Sequence, residues 1–89
     1  MRAIETTTKF RRDFKRIQHE PDSDMVYKLV ELLANDRQLP DTAHDHALAG
    51  TLRGYRECHI KPDLLSIYKK PDNQTLRLAR VGSHSLLFG

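Results

Sequence analysis

The chain has 89 residues, a net charge of +3, 38% hydrophobic residues and 30% charged ones. That is one domain with one modest core, since so short a chain buries only about 60–65% of its unfolded surface. It holds no tract of low complexity, no apolar run near the ~18 residues that span a membrane, and no charged-then-apolar secretory start, so a soluble cytoplasmic protein is expected. Cys58 is the sole cysteine, which excludes an internal disulfide and a thiolate zinc cluster. Its strand-like surroundings predict a packed core residue.

Arg2–Thr6 alternates as an edge strand does. Thr7 or Thr8 can then cap a helix reaching about Gln18, with Phe10, Phe14 and Ile17 at helical spacing. Lys9, Arg11, Arg12, Lys15 and Arg16 fill its other faces. Glu20-Pro21 breaks this helix, and Asp22, Ser23 or Asp24 offers the next cap. Val26, Leu29, Val30 and Leu33 form the apolar stripe of a second helix, so the two make a helical hairpin. The second helix fades at Asn35-Asp36.

Leu39–Arg53 has no period and reads as a long loop, a kind that is usually functional in a compact domain. Beyond Gly54, the segments Tyr55–Ile60, Leu64–Lys70 and Thr75–Val81 are rich in aromatic and branched residues, as strands are. Lys61-Pro62-Asp63 and Pro71-Asp72-Asn73 separate them as turns, which predicts an antiparallel meander. A tail, Ser83–Gly89, follows. The fold class is α+β: an N-terminal strand and a helical hairpin packed on a four-stranded, mainly antiparallel sheet, one domain over residues 1–89. The basic start and the basic last half, which holds Arg53, Arg56, Lys61, Lys69, Lys70, Arg77 and Arg80, would form a polyanion-binding face if they met. An ordinary solvated surface would have the same composition.

Chemistry concentrates in the second half. His46 lies in the long loop, His59 on the first meander strand, Asp63 across the following turn and His84 after the last strand. Imidazole is the one side chain able to act as acid or base near neutral pH without perturbation. Cleaving a phosphodiester through its 2′-hydroxyl needs such a pair, one group removing the hydroxyl proton and another protonating the departing 5′-oxygen. Arg56, Lys61 and Arg80 are candidates to neutralise phosphate charge. Histidines also serve as surface or hydrogen-bonded core residues, and His46, His59, Asp63 and His84 could form a zinc-like set. No HExxH pattern supports the metal, so no metal and no cofactor are expected. His19 and His44 receive no role. Tyr55, Tyr68, Phe10 and Phe14 suit core packing, whereas Phe88 suits either a packing anchor or a base-stacking platform.

The runs Asp45-His46-Ala47-Leu48-Ala49-Gly50 and Gly54-Tyr55-Arg56-Glu57-Cys58-His59-Ile60-Lys61-Pro62-Asp63 carry a resemblance, with Ile67-Tyr68, Arg80-Val81-Gly82-Ser83-His84 and the closing Leu87-Phe88. Together they resemble the YafQ branch of the RelE toxin superfamily, nearly continuously over the last half of the chain. The first half agrees only in its strand and two helices. The resemblance implies a RelE-like fold, cleavage of mRNA in the ribosomal A site, and neutralisation by an antitoxin similar to DinJ, a ribbon–helix–helix DNA-binding protein. Operator DNA would then be met only through the antitoxin complex. Members of the branch favour adenine-rich codons such as AAA. Its functional residues fall here on His46, His59, Asp63, His84 and Phe88. On that basis His84 is expected as general acid and His59 or His46 as base, with Asp63 orienting an imidazole or sharing base duty. Phe88 would stack on a base, and Arg11, Arg12, Lys15 and Arg16 would meet ribosomal RNA. The products would be a 2′,3′-cyclic phosphate and a 5′-hydroxyl. The rival classes are an inactive RelE-like adaptor that binds only antitoxin or DNA, and a metal-dependent hydrolase.

Overall fold

The computed structural model describes residues 1–17 and 21–89. Its elements run β1 (Ala3–Thr6), α1 (Thr8–Lys15), α2 (Pro21–Ala34), β2 (His46–Ala47), β3 (Arg56–Lys61), β4 (Leu64–Lys69), β5 (Thr75–Gly82) and α3 (His84–Phe88), with short 3₁₀ turns at Asp41–Ala43 and Gly50–Leu52. The sheet order is β1-β5-β4-β3-β2. β1 lies parallel to β5, and every other pairing is antiparallel. The α+β class holds, but the sheet has five strands rather than four. The added strand is β2, inside the segment Leu39–Arg53 that was expected to be a plain loop. Two residues are too few to show a period in sequence.

α1 starts where Thr7 Oγ1 accepts the Phe10 N–H at 3.0 Å. The same hydroxyl donates to the Ala79 carbonyl at 2.7 Å, fastening the helix start to β5. Phe10 and Phe14 stack at 6.0 Å, and Phe14 meets Tyr27 edge-on at 5.5 Å, which joins α1 to α2. α1 ends at Lys15 rather than near Gln18, with Arg16 N–H closing the turn onto the Asp13 carbonyl. Gln18, His19 and Glu20, where the helix break was expected, lie outside the described residues.

α2 begins at Pro21 itself rather than after an Asp22–Asp24 cap, because a proline's fixed φ and missing N–H suit a first helical position. Asp22 and Asp24 complement the positive helix end. Val26, Leu29 and Leu33 are buried as the stripe predicted. Asp36, at φ 54°, ends the helix in the left-handed conformation, and the Arg37 N–H returns to the Leu32 carbonyl at 2.9 Å.

One face of the sheet packs under the helices through Cys58, Leu64, Tyr68, Leu76, Leu78 and Val81. Cys58 is fully buried, as expected. Strand alternation sends Leu65 and Ile67 to the other face, yet they too are buried. Part of their cover is α3, formed by a tail that carried no legible period. Ser83 Oγ accepts the Leu86 N–H at 3.2 Å to start it, and Leu86 and Leu87 fold over Gly82, the cross-strand partner of Leu65. Among the described residues no helix is long and apolar enough to cross a membrane.

Candidate active site

The second sheet face carries the chemistry, and strand register arranges it. His46 lies opposite Glu57, Glu57 opposite Ile67, and Ile67 opposite Arg80, so these four form one rung. The next rung is His59, Leu65 and Gly82. Two imidazoles flank one carboxylate: the Glu57 Oε1 lies 4.0 Å from His46 Nε2 and 3.5 Å from His59 Nε2. Glu57 is only 6% exposed. Both imidazoles lie beside this buried carboxylate.

Sequence reading passed over Glu57. The signal was its i, i+2 alternation with His59 on one strand, which puts both on the same face. His44 was passed over as well, although it stands two residues before His46. Its ring meets that of His59 edge-on at 5.6 Å, and its carbonyl oxygen lies 2.6 Å from His46 Nδ1. His44, His59, Lys61, Thr42, Ile60 and Pro62 border an open cleft of about 630 Å³.

His84 and Asp63 meet at the end of the same face. Asp63 Oδ1 accepts the His84 backbone N–H at 3.2 Å, tying the β3–β4 turn to the start of α3. That contact is with the main chain of His84, not with its imidazole. One turn on, the exposed ring of Phe88 sits 5.0 Å from the His84 ring. The expected set therefore forms two neighbouring groups, His46 with His59 on Glu57, and His84 with Asp63 and Phe88.

The expected phosphate-neutralising cations are placed differently. Arg56 lies opposite Tyr68, on the face turned away from Glu57 and His59. Its Nε and Nη2 donate to Asp45 at 3.2 and 3.3 Å, and those bonds raise its pKa above the ordinary arginine value. Tyr68 Oη donates to the same Asp45 at 2.7 Å, and burial, then this carboxylate, push the phenol upward. Lys61 donates to Asp22 at the start of α2 at 2.8 Å. Arg80 shares the rung of Glu57 but reaches to α1, where its Nε and Nη2 donate to the buried Asp13 at 2.6 and 3.1 Å. These bonds raise the Arg80 pKa.

On α1 the residues Arg11, Arg12, Lys15 and Arg16 are all exposed. Arg11 bonds back to the Thr6 carbonyl at 2.8 Å, and Arg16 lies 3.9 Å from Asp13. Lys9, Arg12, Asp13, Arg16, Arg80 and Leu86 enclose a cleft of about 170 Å³ that joins this helix to the edge of the histidine face. Among the described residues no group of three or more His, Cys, Asp or Glu is arranged to hold a metal ion. Acid–base groups, basic residues and a surface aromatic ring thus share one end of a small sheet.

Comparison with known proteins defines the class. The family model for bacterial toxins of type II toxin–antitoxin systems, YafQ, matches residues 2–89. The mRNA interferase toxin YafQ of Escherichia coli K12 is 38% identical over 90 residues, covering 99% of this chain and 97% of that protein. The crystal structure of the E. coli DinJ–YafQ complex superposes with a TM-score of 0.88 at 37% identity, covering 100% of both chains. A metal-bound toxin from Helicobacter pylori reaches 0.87 at 46% identity, over 99% of this chain and 100% of that one. The chain belongs to the YafQ family.

Proposed function

We propose that this chain is an endoribonuclease toxin that cuts mRNA in the ribosomal A site, halts translation, and is neutralised by a DinJ-like antitoxin. The observation that carries the reading is the pair of imidazoles converging on buried Glu57, on the sheet face that leads to His84. His46 or His59 removes the 2′-hydroxyl proton, the oxygen attacks phosphorus, and His84 protonates the departing 5′-oxygen. A 2′,3′-cyclic phosphate and a 5′-hydroxyl result. Glu57 offers a nearby negative charge to the imidazolium formed at the base. Asp63 holds the start of α3, and so the acid, through the His84 N–H. Phe88, 40% exposed beside His84, stacks on a base of the message.

Arg80, on the rung of Glu57, is the cation best placed to meet the phosphate, and Lys61 can do so by leaving Asp22, whereas Arg56 lies on the other face, bonded to Asp45. Arg11, Arg12, Lys15 and Arg16 bind ribosomal RNA, so charge reversal there weakens ribosome binding in a salt-dependent way. Operator DNA is met only through the antitoxin complex, and the protein works in the cytoplasm. The test is to map mRNA 5′ ends after adding the protein to free mRNA and to ribosomes programmed with it, with and without chelator. Codon-phased cuts that need ribosomes and survive chelation support the reading, as does their loss in His84→Ala under single-turnover conditions. No cuts by folded protein would favour an inactive adaptor. Cuts abolished by chelator and restored by metal would favour a metal-dependent enzyme.

A further inference from the structure

The geometry points to His44 as a positioning residue, one whose backbone carbonyl makes His46 the general base and whose ring braces His59. The inference rests on the nuclease reading above and goes beyond it, because that reading leaves open which histidine takes the proton.

A peptide carbonyl has no hydrogen to give. The 2.6 Å contact between His44 O and His46 Nδ1 therefore needs the hydrogen on Nδ1. In a neutral ring this leaves the lone pair on Nε2, the atom that points toward Glu57 across 4.0 Å. That gap is too long for a hydrogen bond, so Nε2 is left to accept a proton from substrate. His59 stands otherwise: its Nε2 lies nearer the same carboxylate oxygen, at 3.5 Å, and no carbonyl fixes its tautomer as His44 fixes that of His46. The two imidazoles thus differ in what holds them: only His46 has its proton placed on the far nitrogen by a carbonyl.

His44 sustains this difference by an uncommon backbone. Its φ and ψ are 48° and 42°, in the left-handed region where a non-glycine residue is rare. That twist aims its carbonyl at the residue two ahead. The twist is held from behind, because the preceding Ala43 is buried in the core and the His44 N–H bonds to the Asp41 carbonyl at 3.1 Å. Backbone strain of this kind gathers at functional sites, where surrounding packing fixes it. From the same residue the imidazole lies edge-on to that of His59 at 5.6 Å, so one side chain limits the ring orientation of the second histidine. Both rings that converge on Glu57 are braced by one residue on a core-anchored turn.

The test pairs a spectroscopic signature with a kinetic one. Long-range ¹H–¹⁵N spectra of the intact protein at about pH 8, where a free imidazole is neutral, report the His46 tautomer. The wild type should carry its hydrogen on Nδ1. His44→Asn tolerates the left-handed backbone but lacks the ring, so it should keep the His46 tautomer while cleaving about 10-fold more slowly than wild type, because His59 loses its brace. His44→Val disfavours that backbone. It should scramble the tautomer and slow single-turnover cleavage of ribosome-bound mRNA by about 10²-fold, the scale of a misplaced catalytic group, with little change in half-saturating concentration. A wild-type His46 with its hydrogen on Nε2, or a folded His44→Val that cleaves at the wild-type rate, overturns the inference. If His44→Val does not fold, the wild-type spectrum and His44→Asn still decide it. Failure of the wild type to cut mRNA would refute the nuclease reading instead, and the tautomer, which needs no RNA, separates the two failures.

Discussion

Removing the carboxylate of Asp13 should cost more than removing any other charge on α1. Asp13 is 3% exposed and accepts from three donors: Arg80 Nε at 2.6 Å, Arg80 Nη2 at 3.1 Å and the Val81 N–H at 3.3 Å. The last donor matters because β1 stops at Thr6, opposite Leu78, so beyond that point no strand pairs with the edge of β5 that faces away from β4. Asp13 takes the place of the missing strand. In Asp13→Ala the buried Val81 N–H loses its acceptor, at a cost of roughly 1–3 kcal/mol. The Arg80 side chain is 24% exposed, so water can replace part of its two bonds, leaving about 1 kcal/mol more. The sum is about 2–4 kcal/mol, a large share of what so small a domain has. At about 4–8 °C per kcal/mol, the melting temperature should fall by roughly 10–30 °C. Asp13→Asn keeps one acceptor and should lose about half as much. Urea unfolding of wild type, Asp13→Ala, Arg80→Ala and the double variant gives both the loss and the coupling between the two side chains. A loss under about 0.5 kcal/mol with an unchanged denaturant slope would place Asp13 among ordinary surface charges and refute the reasoning.

Three further outcomes are expected. Burial, aided by the negative charges of Asp45 and Glu57, pushes the Cys58 thiol from 9.0 up to about 12. A folded-state value above the unfolded one means that its contribution to stability is whole below pH 9.0 and drains away as pH rises through that window toward 12. The slope should approach about 1.4 kcal/mol per pH unit and vanish in Cys58→Ala, and a disulfide reagent should label the thiol only as fast as the protein unfolds. Labelling of folded protein at the rate of a free thiol would contradict this. Glu57→Gln, which keeps shape but removes the charge shared by His46 and His59, should slow single-turnover cleavage by about 10–10²-fold while leaving antitoxin binding unchanged; an unaltered rate would remove Glu57 from the site. Gly82→Ala would set a Cβ 2.6 Å from Leu86 Cδ2. The far end of a leucine can move, but Gly82, at φ 157°, holds a backbone that residues with a Cβ rarely adopt, so stability should drop by about 1–3 kcal/mol. Cleavage should suffer more, because α3 carries His84 and Phe88, and equal losses in both would count against that role for α3.

Much of this architecture was legible because it repeats. Val26, Leu29 and Leu33 recur at helical spacing, and Pro62-Asp63 marks the tight β3–β4 turn between two branched, aromatic segments. What stayed hidden is either too short to repeat or depends on distant partners. β2 is two residues long and exists because His46 and Ala47 find Glu57 and Arg56. α3 is five residues long, and its one local sign was Ser83, whose side chain caps it. His46, His59 and His84 could be named from the sequence, but His44 looked like a loop residue and Glu57 like one more charge until register set it between His46 and His59. Arg56 and Lys61 looked like free cations because Asp45 and Asp22, which engage them, lie well away along the chain.

The parallel pairing of β1 with β5 also sets an order of events. Ala3 must wait for Thr75, and Thr6 for Leu78, so the first strand to be synthesised closes the sheet only after nearly all the rest has been made. Contacts between such distant segments form late and slowly, because a long loop must close before they are rewarded. α2 can form early, and His46 and His59 emerge with β2 and β3, but Arg80, Gly82 and His84 arrive last. A growing chain would therefore pass through most of its synthesis before the face that carries His46, His59 and His84 is assembled.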